Sequence, residues 1–199
     1  MIDGTQGYGD NAPALAEQYE SITFDDVHHG VMHLFPSPPA RVLDVGAGSG
    51  RDAAALAAIG HTVVAVEPTD ALRQEGMRLH GGKPIDWVAD HLPDLSQLHL
   101  RKDRFDLILL TAVWMHLDGH ERRTAMKSLA GLLGAKGRIS MSLRHGPVPQ
   151  GRRMFDVSAD ETIELAGLHG LAAVQVAERN DMLGRPDVRW SFVVLEART

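Results

Sequence analysis

The residues with the most chemistry in their spacing lie at Val42-Leu43-Asp44-Val45-Gly46-Ala47-Gly48-Ser49-Gly50. Glycine lets a chain turn tightly and lets a ligand lie against bare backbone. Where such a turn opens a helix, the first amides and the positive end of the helix dipole welcome a carboxylate or phosphate. Asp44, near the strand end, can take charge-assisted hydrogen bonds from a ligand ammonium or from loop amides. Glu67 follows Gly48 by 19 residues, at the end of the next apolar run. Its two oxygens can each accept a hydrogen bond from a ligand. An acid at a strand end can also simply cap the next turn; the agreement in spacing between loop and acid favours the ligand.

These groups need a scaffold that brings successive strand ends to one edge. The sequence predicts strands at 41–46, 62–66, 85–88, 105–110 and 137–143, with final strands at 171–177 and 190–197. Helices are predicted between most of them. Ser49, Asp118 with Glu121, and Ser158 with Glu161 are read as N-terminal caps, and Gly60, Gly134 and Gly170 as stops. Strands separated by single helices imply parallel crossovers. No helix is predicted between the last two strands, which can therefore pair antiparallel. Ahead of the first strand stand two helices, one capped by Asn11 and carrying Leu15 and Tyr19. The other is capped by Thr23 with Asp26 and runs through Phe24, Val27, Val31, Leu34 and Phe35 to the prolines at 36, 38 and 39. The expectation is one domain over 1–199: a helical cap over 1–40 and, over 41–199, a Rossmann-like, doubly wound, seven-stranded α/β sheet, mostly parallel, with one antiparallel strand near the C-terminus.

In this order the segments resemble the class I S-adenosylmethionine-dependent methyltransferases. The glycine stretch looks like their first motif. His61–Pro68 looks like their second strand with its terminal acid, and Asp86-Trp87-Val88-Ala89-Asp90-His91-Leu92-Pro93 like the third motif. Phe105–Thr111 and Leu132–Arg138 look like the fourth strand and the turn before the fifth. The resemblance implies S-adenosylmethionine as cofactor. Asp44, Gly46, Ala47, Gly48 and Gly50 would lie along its methionine part, with Thr111 at the amino end. Glu67, with Pro68, would meet the ribose, and Asp90 with His91 the adenine. Tyr19 would be the tyrosine that N-terminal helices bring over the cofactor, although a core position on an amphipathic helix explains it equally well. Polar Gly4–Gly9 and the two helices would form the lid. Nucleotide-dependent oxidoreductases carry a related loop, but their third glycine stands three positions after the second, where this chain has Arg51. A non-catalytic protein that binds the same cofactor stays open.

Composition narrows the acceptor. The net charge of −6 does not attract phosphate backbones, and the strand-four end, Thr111-Ala112-Val113-Trp114-Met115-His116, lacks the Asn/Asp-Pro-Pro-aromatic motif of nucleic-acid amino-methylating enzymes. The basic pairs and triplets at 101–104 and 122–123 read as solvated faces. A small-molecule acceptor is expected, with no nucleic-acid and no membrane partner, in a cytoplasmic monomer or homodimer. There is no cysteine, which excludes disulfides and thiolate nucleophiles. Among eleven histidines, the i, i+4 pairs His29–His33 and His116–His120 lack a third ligand, so no metal is expected. Trp114 and Met115 either line the substrate pocket or pack under the next helix. Two histidines follow strand ends and can serve as general base, His116 and His145. Of these His145 is favoured, because Gly146 and Pro147 predict a sharp turn at the pocket mouth, with Arg144 available to orient an acidic substrate.

Overall fold

The computed structural model describes residues 8, 9 and 11–198. Its centre is a seven-stranded sheet in the order β3-β2-β1-β4-β5-β7-β6. The strands are β1 (Arg41–Val45), β2 (Thr62–Val66), β3 (Ile85–Val88), β4 (Phe105–Leu110), β5 (Leu133–His145), β6 (Leu171–Asn180) and β7 (Arg189–Ala197). Strands β1 to β5 pair parallel, and β7 runs antiparallel to both β5 and β6. The helices are α1 (Ala12–Glu20), α2 (Phe24–His28), α3 (Arg51–Ala58), α4 (Asp70–His80), α5 (Ser96–Arg101), α6 (Gly119–Leu132) and α7 (Ala159–Gly167).

Alternation along the strands sends apolar side chains to both faces. Leu43, Val45, Ile108, Leu110 and Met141 pack with Leu98, Met126, Leu129 and Ala166 from α5, α6 and α7. Val42, Val63, Ala65, Leu107 and Leu109 pack with Phe24 of α2 and with Ala53 and Leu56 of α3. Both faces are thus covered, as the near-continuous apolar strands require. From β1 the chain winds one way to β2 and β3, then returns to place β4 on the other side of β1. The connections after β1 and β4 therefore diverge at the carboxyl edge and leave a crevice between them.

Several local expectations are corrected. The second helix stops at His28, because Gly30 is a poor helix former; the chain then turns so that Val27 and Val31 reach Phe192 and Val194. Ser49 does not cap α3: Gly50, in the left-handed region at φ 85°, precedes the helix, and the Ser49 hydroxyl donates to Glu20 instead. Asn11 stands at the start of α1 without a side-chain cap. Gly134 does not end α6. Leu133 already pairs with Phe105, and Gly134 and Gly137 lie where the backbone passes so near the Phe105 carbonyl that a Cβ would sit 3.3 and 2.8 Å from it. Helix α5 was not expected. Arg122 is buried rather than solvated, donating to the Leu117 carbonyl and to Glu161. The capping box Asp118–Glu121 and the caps Thr23 and Ser158 form as read.

Candidate cofactor and acceptor site

A cavity of about 800 Å³ opens in the crevice. Most of the residues singled out in the sequence meet there: Tyr19, Asp44, Gly46, Ala47, Gly48, Glu67, Pro68, His91, Thr111 and His116 all line it. Gly50, Asp90 and His145 do not.

The glycine turn is held from beneath. The Gly46 and Ala47 amides donate to the Val66 carbonyl at 2.8 and 2.9 Å, and Gly50 donates to the Ala47 carbonyl. The Gly48 amide donates to Glu67 Oε2 at 2.9 Å, while Glu67 Oε1 accepts from the Thr69 amide at 2.7 Å. The amides expected to meet a ligand anion are thus engaged inside the fold. Missing side chains let neighbours close over the turn: a Cβ on Gly46 would lie 2.5 Å from Val113, and one on Gly48 would press the Tyr19 ring at 3.3 Å. Gly50 serves packing, since the Trp87 ring lies 2.7 Å from where its Cβ would be. Burial pushes the Glu67 carboxyl up, against the pull of the Thr69 and Gly48 amides. Each oxygen still has a second lone pair to offer.

Asp44 is 2% exposed, and its Oδ2 has no hydrogen-bond partner among the described residues. Burial, and then the Asp52 carboxylate, push its carboxyl well above the usual range, against Arg51 and the Ala53 amide. Asp52 is in the opposite state. Burial disfavours its charge, but His28 and Arg51 outweigh that and hold it well below the usual range. Its Oδ2 accepts from His28 Nε2 at 2.9 Å and from the Thr111 hydroxyl at 2.7 Å, and its Oδ1 from Arg51 at 2.7 Å. Thr111 therefore lines the cavity with its proton directed to Asp52. The chain then bends at Ala112, φ 60°, whose amide donates to Ser142.

Asp90 is turned toward the fold: Oδ1 accepts from the His91 amide and Oδ2 from the Leu98 amide in the first turn of α5. Its carboxylate caps a helix, and the following His91, Leu92 and Pro93 line the cavity.

Of the two base candidates the geometry separates one. His145 lies at the end of β5 with its Nε2 on the Ser191 hydroxyl at 2.8 Å, away from the cavity. His116 is buried in the cavity wall. Its Nδ1 donates to the Arg153 carbonyl at 2.8 Å, so Nε2 carries the lone pair, which accepts the Tyr8 hydroxyl at 3.0 Å. Burial pushes the imidazole down, helped by Arg152 and Arg153 and opposed by the Arg153 carbonyl. Met115 lines the cavity, whereas Trp114 is fully buried beside it in the core. Among the described residues no three His, Asp or Glu side chains gather to hold a metal, and no helix is long and apolar enough to cross a membrane.

The sequence reading missed Tyr8, Arg152, Arg179 and Arg185, all of which line the cavity. A signal existed for the last two. With β7 antiparallel, the connection from β6 to β7 must lie at the carboxyl edge, and it carries Asp181 and Arg185. The other lid residues expected at Gly4–Gly9 lie outside the described residues, apart from Tyr8 and Gly9.

Residues 43–141 match a family described as "Methyltransferase domain". The chain is 32% identical over 124 residues to demethylmenaquinone methyltransferase of Clavibacter sepedonicus; the match takes in 61% of this chain and 49% of that one. The chain thus spans about half the length of this curated relative. Among solved structures it is similar to the 1,6-didemethyltoxoflavin-N1-methyltransferase of Burkholderia thailandensis, determined with 1,6-didemethyltoxoflavin and S-adenosylhomocysteine bound (TM-score 0.70, 22% identity, 96% of this chain and 84% of that one). It is also similar to a TehB-like S-adenosylmethionine-dependent methyltransferase of Corynebacterium glutamicum (TM-score 0.67, 22% identity, 94% and 100%). By motif order, strand topology and family match, the chain belongs to the class I S-adenosylmethionine-dependent methyltransferases.

Proposed function

We propose that the protein binds S-adenosylmethionine and transfers its methyl group to a small molecule. The observation that carries this reading is Asp44 Oδ2, a buried carboxyl oxygen without a partner among the described residues, beside the glycine turn in the cavity wall. An amino acid's ammonium is the group such an oxygen fits. The residues present suit the cofactor: Asp44 would take its ammonium, Gly46 to Gly48 the aliphatic chain, and Glu67 the ribose hydroxyls. The bound cofactor would supply a methyl group already activated by a positive sulfur.

The chain's own work is then positioning, exclusion of water and proton handling. Tyr8 and Tyr19 line the cavity and bring aromatic surface over it. His116, held in one tautomer by the Arg153 carbonyl, presents an Nε2 lone pair, now on the Tyr8 hydroxyl, that would take a proton from an acceptor displacing that contact. Its lowered basicity keeps the ring neutral at neutral pH, the state a general base needs. The net charge of −6 favours a small acceptor over a nucleic acid.

Calorimetric titration with S-adenosylmethionine and S-adenosylhomocysteine, with NAD as control, tests the first step. Tritium transfer from the labelled cofactor into pooled small molecules, DNA and RNA tests the second. The reading expects saturable binding of both sulfur compounds, none of NAD, and label in a small-molecule pool. Binding of NAD alone, or label in nucleic acid only, would overturn it.

A further inference from the structure

One wall of the cavity is cationic. Arg144 stands at the end of β5, Arg179 at the end of β6 and Arg185 in the connection to β7; all three line the cavity. The single acid on this wall, Asp181, is already saturated. It accepts from the Leu183 and Arg185 amides, from Nε and Nη2 of Arg185 at 2.9 and 2.6 Å, and from the Trp190 indole at 3.0 Å. Arg185 is thereby neutralised.

Arg144 and Arg179 are not. Arg144 is 8% exposed; its Nη1 donates to the Gly146 and Pro147 carbonyls, and its Nε has no partner among the described residues. Arg179 has two buried guanidinium nitrogens, Nε and Nη1, without a partner among the described residues. Its guanidinium lies over the rings of Phe192 and Trp190, 5.2 and 5.8 Å from their centroids. Burying a guanidinium without an anion opposes folding. One buried and one half-buried on one wall, in a protein of net charge −6, are explained by an anion that arrives with the ligand. Burial pushes both guanidiniums down from the ordinary value, against the pull of Asp181, which forms its ion pair with Arg185. The same cavity presents apolar surface from Met115, Met154, Met182, Leu183 and Trp190, beside the polar Tyr8, Glu121 and Arg152.

Resting on the methyltransferase reading above, we infer that the acceptor is an organic acid with an apolar body, its carboxylate held by Arg179 and Arg144. A guanidinium meets a carboxylate with two parallel donors, which sets the orientation of the body as well as its affinity. Arg179, already stacked on aromatic rings, is pre-ordered for that contact.

The test uses protein saturated with S-adenosylhomocysteine, titrated calorimetrically with carboxylate and amide pairs of the same shape: benzoate and benzamide, 2-naphthoate and 2-naphthamide. At least one acid should bind about tenfold or more tightly than its amide, the scale of a charge-assisted hydrogen bond. Arg179→Met and Arg144→Met should each remove most of that preference, and Arg179→Lys should retain part of it. Affinity for S-adenosylhomocysteine should stay within about threefold in all three, on the ordinary scatter of independent sites. Acids that bind no better than their amides, or a preference that survives both Met variants, would overturn the inference and leave cofactor binding untouched. A variant that binds 2-naphthoate normally but loses S-adenosylhomocysteine would instead assign its arginine to the cofactor and overturn the inference too. Failure of the unaltered protein to bind S-adenosylhomocysteine is the separate failure of the methyltransferase reading.

Discussion

Replacing Asp44 by Asn is expected to stabilise the ligand-free protein and weaken its hold on the cofactor. The side chain is 2% exposed, one oxygen faces the Ala53 amide, and Oδ2 has no partner among the described residues. Burial and the Asp52 carboxylate raise its pKa in the folded state well above 3.8. Between 3.8 and that raised value the native protein binds more protons than the unfolded chain, so stability falls as pH rises through the window. Asn removes this titration. Once pH exceeds that raised value, the buried charge that Asn abolishes opposes folding, and the gain should be roughly 1–3 kcal/mol. For a chain of this size that is a rise in Tm of about 2–10 °C. Binding moves the other way. The ligand ammonium loses a charge-assisted hydrogen bond of about 1.5–3 kcal/mol, so affinity should fall roughly 10- to 150-fold. In the unaltered protein, binding should also expel a proton from Asp44. Its calorimetric heat with S-adenosylhomocysteine should therefore differ between Tris and phosphate, and its affinity should rise with pH by at most about tenfold per unit. Melting curves and titrations of both proteins, followed upward from the ordinary carboxylate range, trace this window. If D44N melts below the unaltered protein at the alkaline end, or binds within about threefold of it, the assignment of Oδ2 to the ammonium is wrong.

Glu67→Ala should weaken S-adenosylhomocysteine binding at least about tenfold, since it removes two acceptor oxygens and frees the Gly48 and Thr69 amides. Because burial raises this carboxyl above 4.5, affinity should decline as pH falls already above the ordinary carboxylate range, and titrations down the pH scale check the sign. Gly46→Ala places a Cβ 2.5 Å from Val113 at φ 71°, so it should cost about 1–2 kcal/mol in backbone strain alone; a melting curve matching the unaltered protein's would contradict the turn geometry. His116→Gln should slow single-turnover methyl transfer about a hundredfold, while His145→Gln leaves it unchanged. Since burial lowers the His116 pKa below 6.5, the unaltered enzyme's rate should hold its plateau to below that pH, and the Gln variant should lose the inflection.

What the sequence made legible was written in short-range signals. The glycine turn, the apolar strands and the Thr23, Asp118 and Ser158 caps each depend on residues a few positions apart. The errors fall where distant segments decide. Helix α5, at six residues, is too short to show a period, so the hydrogen bond from its Leu98 amide to Asp90 was not foreseen. Arg144 and His145 were read together as a loop, but β5 continues through both, pairing with Trp190 and Arg189. Adjacent strand residues point to opposite faces. That alternation puts Arg144 in the cavity wall and sends His145 to Ser191. Tyr8 and His116 meet across 108 residues, a contact no local pattern announces.

The reversal of β7 also divides the molecule into parts that can change at different rates. Residues 180–189 form a hairpin whose polar groups converge on Asp181, so its shape is tied from within. The glycine turn is clasped from outside, by Val66 and Glu67 of another strand. A sequence change in the hairpin is absorbed locally, whereas one in the turn must be matched elsewhere. Acceptor choice is therefore the trait this architecture leaves open to drift. Grafting the 180–189 hairpin between relatives of this fold should carry specificity with it and leave the nucleoside end of the site intact.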